Sequence, residues 1–121
     1  MIGIMLATAL VIQTEPPAAP FLTGNQLLTF CEQGARDPSS EYLCLGYVAG
    51  AVDAVRATEA AINQLRGETG LICVPVGVTP TQVRDVIIRR LRSNPTDRHF
   101  GAPSLVLSAM MESYPCLTPD R

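Results

Sequence analysis

Beyond residue 21, apolar positions recur at steps of three and four, and the pattern predicts four helices. The first opens on Thr23-Gly24-Asn25-Gln26, a capping box. It carries Leu27, Leu28, Phe30 and Cys31 and ends near Gly34. The second starts at Asp37-Pro38, an N-cap residue followed by proline in the first turn, and runs to about Leu65. Leu43, Tyr47, Val48, Ala51, Val52, Val55, Ile62 and Leu65 form its expected core stripe. The third opens on a second capping box, Thr79-Pro80-Thr81-Gln82. Val83, Val86, Ile87 and Leu91 lie on one face, and Asn94-Pro95 stops it near Ser93. The fourth begins around Pro103 and carries Leu105, Val106, Leu107, Ala109, Met110 and Met111 up to Tyr114-Pro115-Cys116. The segment 72–78, ICVPVGV, reads as a linker. An all-α bundle with short connections follows, without repeats or a second domain.

Gly46 and Gly50 interrupt the second helix, although glycine costs about 1 kcal/mol relative to alanine inside a helix. They lie four apart, on one face that Ala54, Ala57 and Ala61 extend. Close packing against a neighbouring helix would offset the cost, and core packing is the expectation for this strip.

Composition sharpens the picture. The 121 residues suffice for one domain with a modest core. A net charge of −2 and the absence of tryptophan oppose nucleic-acid binding. The even cysteine count (Cys31, Cys44, Cys73, Cys116), with no CxxC pair, points to two disulfides and an oxidising compartment rather than to zinc. In an antiparallel hairpin of the first two helices, Cys31 and Cys44 sit at similar distances from the turn. Cys73 and Cys116 flank the second hairpin. That favours 31–44 and 73–116 and leaves the other two pairings open. The run Ile2–Ile12 is too short to span a bilayer and has the length of a signal-peptide core. No basic residue precedes it, and Pro17 and Pro20 flank the region where cleavage would fall. Residues 1–21 are therefore read as an atypical hydrophobic leader, 22–116 as the domain and 117–121 as a flexible tail.

In order along the chain stand LLTFCE (27–32), CLGYVAG (44–50), ICVPVGVTPTQ (72–82), the NP of 94 and 95, and LVLSAMMESYPC (105–116). This combination resembles the Rap/Tai immunity-protein family across about 22–116, with all four cysteines inside the matching motifs. The resemblance implies a small, helical, disulfide-bonded protein of the periplasm, often a homodimer. Its arrangement would be similar to that of the acid-stress chaperone HdeA. The best-known members bind and block cell-wall amidase effectors delivered by type VI secretion.

The residue inventory gives no support to an enzyme. His99 is the sole histidine and lies in a polar loop without a serine–histidine–aspartate arrangement, and Asp85 with Arg89 reads as a surface pair. No cofactor or metal is expected. Arg84, Arg89, Arg90, Arg92 and Arg98 cluster within 15 residues, either as a solvated face or as a patch for an acidic partner. Candidate binding loops are 66–71 and 94–101, the second favoured for Asp97, Arg98 and His99, which are expected to be exposed. The functional expectation is an inhibitor that occludes an amidase. An HdeA-like chaperone and a structural or prophage-encoded periplasmic protein are the alternatives.

Overall fold

A computed structural model describes residues 19–67 and 70–116. Among them are four α-helices: α1 (Gly24–Gln33), α2 (Pro38–Arg66), α3 (Pro80–Ser93) and α4 (Ala102–Ser113), with a 3₁₀ turn at Pro95–Asp97. Residues 1–18 of the expected leader (1–21) and the tail at 117–121 lie outside the described residues.

Local chemistry sets the helix ends. In α1 the Thr23 N–H donates to Gln26 Oε1 at 2.9 Å and the Gln26 N–H donates to Thr23 Oγ1 at 3.3 Å. Thr79 and Gln82 repeat the exchange at α3, at 2.7 and 3.2 Å. Each box satisfies donors that have no partner inside the helix. At α2 the Asp37 carboxylate accepts from the N–H groups of Ser39 and Ser40 and from the Ser40 hydroxyl. Gly67, at φ 67°, closes α2 in the left-handed region that glycine adopts without steric cost.

All four helices touch one another around a single core. Leu27, Cys44, Val48, Ile87, Val106 and Met110 are its largest fully buried members. Each aliphatic one contributes about 1.5–3 kcal/mol by leaving water. Two disulfides tie the hairpins. Cys31–Cys44 joins α1 to α2, and Cys73–Cys116 joins the segment before α3 to the residue run after α4. Segment 72–78 forms no strand; Ile72 makes one isolated bridge with Pro115, and Cys73 N–H donates to Tyr114 O at 2.8 Å.

Two expectations about α2 are corrected. Its inward row is Cys44, Val48 and Val52, fixed by the disulfide. At 100° per residue, Gly46 and Gly50 lie about 200° from Cys44 and Val48, on the opposite side. They are exposed, and a Cβ at either meets no atom within 4 Å. The small-residue strip is thus not packed in the core. Ala54, Ala57 and Ala61 are exposed with it.

The expected core stripe also fails at its ends. Leu43, Ile62 and Leu65 are 48%, 42% and 87% exposed. Leu43 is turned about 100° from Cys44. Ile62 and Leu65 lie on the last turns of a helix about 43 Å long, while α3, with 14 residues, runs about 21 Å. No other helix among the described residues is long enough to cover them.

Candidate partner-binding site

The loop 94–101 is built to hold its shape. Asn94 ends α3, and its side-chain amide donates to Arg90 O at 2.9 Å. Pro95 opens the 3₁₀ turn, and the Phe100 N–H donates to Asp97 O at 2.9 Å. The loop then lies against the start of α1. Gly24 N–H donates to Phe100 O at 2.9 Å and Asn25 N–H donates to Arg98 O at 2.8 Å. These are first-turn donors, which a helix cannot satisfy internally. Gly24 permits the approach: a Cβ there would meet Leu105 Cδ1 and lie 2.9 Å from Arg98 O. The Ala102 N–H donates to Leu22 O at 2.8 Å on the far side.

His99 is exposed, as expected, but Asp97 and Arg98 are only half-exposed. Their backbone is committed to the turn and to α1, which draws both side chains toward the body of the domain. The Arg98 Nε is buried and has no hydrogen-bond partner among the described residues. Phe100 takes the outward position instead. It is 52% exposed and tilts against His99, with ring centroids 4.1 Å apart. Phe21 is fully exposed just before the bridge that pairs Thr23 with Gly101. Sequence reasoning passed over both phenylalanines. The available signal was a large apolar side chain inside an otherwise polar loop.

The other candidate loop, 66–71, is described only in part. There Glu59 Oε1 accepts from the Leu71 N–H at 2.6 Å, folding the chain back along α2. Leu71 is exposed.

Most of the arginine cluster is neutralised within the chain. Arg84 pairs with Glu41 and Asp85, Arg90 with Glu112, and Arg92 with Glu32. Asp85 therefore meets Arg84 rather than Arg89. A shallow open groove of about 890 Å³ runs past Glu41, Arg84, Asp85, Arg89 and Arg92. Its cations and carboxylates alternate, which suits a solvated surface and gives little net attraction for an anion.

Two groups have displaced pKa values. Hydrogen bonds from the Ser40 hydroxyl and from the Ser40 and Ser39 N–H groups hold the Asp37 carboxyl below its ordinary value. Partial burial pushes the Tyr47 phenol above its own. Both belong to the scaffold. Among the described residues, no three of His, Cys, Asp and Glu come close enough to hold a metal.

A family model for Rap1a immunity proteins matches residues 23–116, which spans both disulfides, every helix and the 94–101 loop. The chain belongs to the Rap1a immunity protein family. No curated protein and no solved structure matches it. Membership gives this Rap1a protein a role in immunity, exercised by binding a partner effector, and the family is non-enzymatic. No helix among the described residues is long and apolar enough to cross a membrane.

Proposed function

We propose that this Rap1a protein acts in the periplasm, where it binds and blocks a cell-wall amidase effector delivered by type VI secretion. The family match over the whole helical domain carries the reading. Disulfides on both hairpins accord with an oxidising compartment. Self-association as a homodimer is part of the same reading.

The binding element we assign is the loop 94–101, with Asp97, Arg98, His99 and, added on structural grounds, Phe100. Aromatic residues and arginine dominate the energetics of protein interfaces. This loop is already pinned to α1 by two backbone hydrogen bonds, so little ordering cost remains on binding. Its mechanism is occlusion, with no chemistry contributed by the inhibitor.

The test is titration of a hydrolase encoded beside this gene with the purified oxidised protein. Stoichiometric loss of hydrolase activity is expected. Phe100→Ala and His99→Ala should each weaken inhibition by about 1 kcal/mol or more while leaving the melting temperature nearly unchanged. Absence of inhibition at micromolar excess would remove the amidase reading. Suppression of client aggregation at low pH would favour the chaperone alternative instead.

A further inference from the structure

The two disulfides stand in different surroundings. Cys31 and Cys44 are 5% and 0% exposed and belong to the core. Cys73 is exposed and Cys116 half-exposed. Thiol–disulfide exchange requires a thiolate to reach one sulfur of the bond. Burial therefore shields the first disulfide, and exposure leaves the second open to attack.

The exposed bond fastens a lightly held segment. Over 70–78, among the described residues, one backbone hydrogen bond reaches another part of the chain. It runs from Cys73 N–H to Tyr114 O at 2.8 Å, beside the bridge of Ile72 with Pro115. The Leu71 N–H donates to the Glu59 carboxylate, an exposed contact with which water competes. Ile72 is buried, and Val74 and Val78 pack partly against the core. The turn Pro75 to Val78 bonds to itself, through Val78 N–H to Pro75 O at 3.3 Å, and Val76 at its tip is fully exposed.

We propose that Cys73–Cys116 is a thiol–disulfide exchange site for a dithiol of the Cys-X-X-Cys class, and that its reduction opens the segment 70–78 while the helical core stays closed. A thiolate of the dithiol attacks the Cys73 sulfur, the more exposed partner. The S–S bond breaks, its electron pair leaves on the Cys116 sulfur, and that thiolate takes up a proton. The second sulfur of the dithiol, once deprotonated, attacks the first. It closes a disulfide there and releases Cys73 as a thiolate, which is protonated in turn. The chain gains two electrons and two protons, and the dithiol loses them.

Local opening draws on regions with few buried contacts and solvent-exposed hydrogen bonds, and 70–78 is such a region once the cross-link is gone. Opening uncovers Ile72, Val74 and Val78. The Cys31–Cys44 bond and the helix contacts are left in place. Loop 94–101 keeps its hold as well, because its backbone bonds to the start of α1 run to Gly24 and Asn25, outside the opened segment. The redox state of the surroundings thus sets whether the segment is closed or open to proteolysis. This goes beyond the immunity reading and does not depend on the effector.

The test uses the purified oxidised protein. A thioredoxin whose resolving cysteine is replaced by serine traps the mixed disulfide, and peptide mapping should find the adduct on Cys73. Intact thioredoxin, kept reduced, should produce a species with new thiols at Cys73 and Cys116, the Cys31–Cys44 bond intact and the helical circular dichroism of the oxidised protein. After alkylation of that species, amide hydrogen exchange over 71–78 should quicken about tenfold or more, while 24–33 and 94–102 change by less than about twofold. Cys73→Ser with Cys116→Ser should reproduce the pattern without any reductant. The absence of an adduct, an adduct on Cys31 or Cys44, loss of both disulfides together, or unchanged exchange over 71–78 overturns the proposal. So does a chain that unfolds when this bond alone is lost, since the core is then not independent of it.

Discussion

Removing the two disulfides one at a time separates two physical effects that point in opposite directions. In the chain-entropy account, a cross-link stabilises by restricting the unfolded chain, more so for longer loops. Cys31–Cys44 closes a separation of 13 residues and Cys73–Cys116 one of 43. The corresponding contributions are about 3 and about 4 kcal/mol. On loop length alone, losing 73–116 should cost more. Burial reverses the order. Cys31 and Cys44 are 5% and 0% exposed, beside Leu27 and Val48 in the core. Replacing both with alanine leaves two sulfur-sized gaps, each worth about 1 kcal/mol. Cys73 is exposed and Cys116 half-exposed, so their replacement leaves almost no cavity. The totals are about 5 kcal/mol for Cys31→Ala with Cys44→Ala, and about 4 kcal/mol for Cys73→Ala with Cys116→Ala. Urea titration followed by circular dichroism resolves the comparison, with the midpoint compared at a common slope. We expect the core double variant to be the weaker, and it can fail to fold, since domains of this size carry only about 5–15 kcal/mol. A 73–116 variant less stable than the 31–44 variant would refute the cavity argument.

Further expectations follow from the same structure. Under graded reductant with alkylation and mass mapping, Cys73 and Cys116 should be labelled before Cys31 and Cys44, because the first pair is accessible and the second is core; the reverse order would contradict the burial pattern. Gly24→Ala should destabilise by about 1–3 kcal/mol, since its Cβ would press on Leu105 and on the loop carbonyl of Arg98, whereas Gly50→Ala should stabilise by about 0.8–1 kcal/mol through propensity alone. Paired melting curves would show both signs. For Asp37, a depressed folded pKa means that its capping contribution is present above the unfolded value of about 3.9 and is lost as pH falls through the folded value. The gap in melting temperature between wild type and Asp37→Ala should therefore be widest near neutrality and narrow below about pH 4; a gap constant with pH would exclude the charged cap as its source.

What could be read from the chain, and what could not, divides along the range of the forces involved. The capping boxes at Thr23 and Thr79, the Asp37-Pro38 start and the Asn94-Pro95 stop are local, set by residues within four positions of one another. They appear in the structure where the sequence puts them. The disulfides were accessible in part for a different reason: hairpin geometry favours 31–44 and 73–116, the pairs the structure shows, without excluding the other two pairings. The orientation of α2 was not. Its apolar residues spread around more than one face, so periodicity gave no unique inward direction. Long-range packing decided it, by turning Cys44, Val48 and Val52 toward α1 and the core. Two glycines four residues apart then suggested a close-packed interior, when the same spacing serves equally for an outer face. The loop 94–101 shows the same limit. Its polar composition marked it as a surface segment, but whether a side chain there points outward depends on how the backbone is pinned. Gly24 and Asn25, some 70 residues earlier in the chain, make that choice by donating to Phe100 and Arg98. They fasten the backbone at Arg98, leave its side chain half-buried and carry Phe100 outward. The exposure of Arg98 and Phe100 is thus set by a distant helix end that has to satisfy its own donors, which no reading of loop composition reaches.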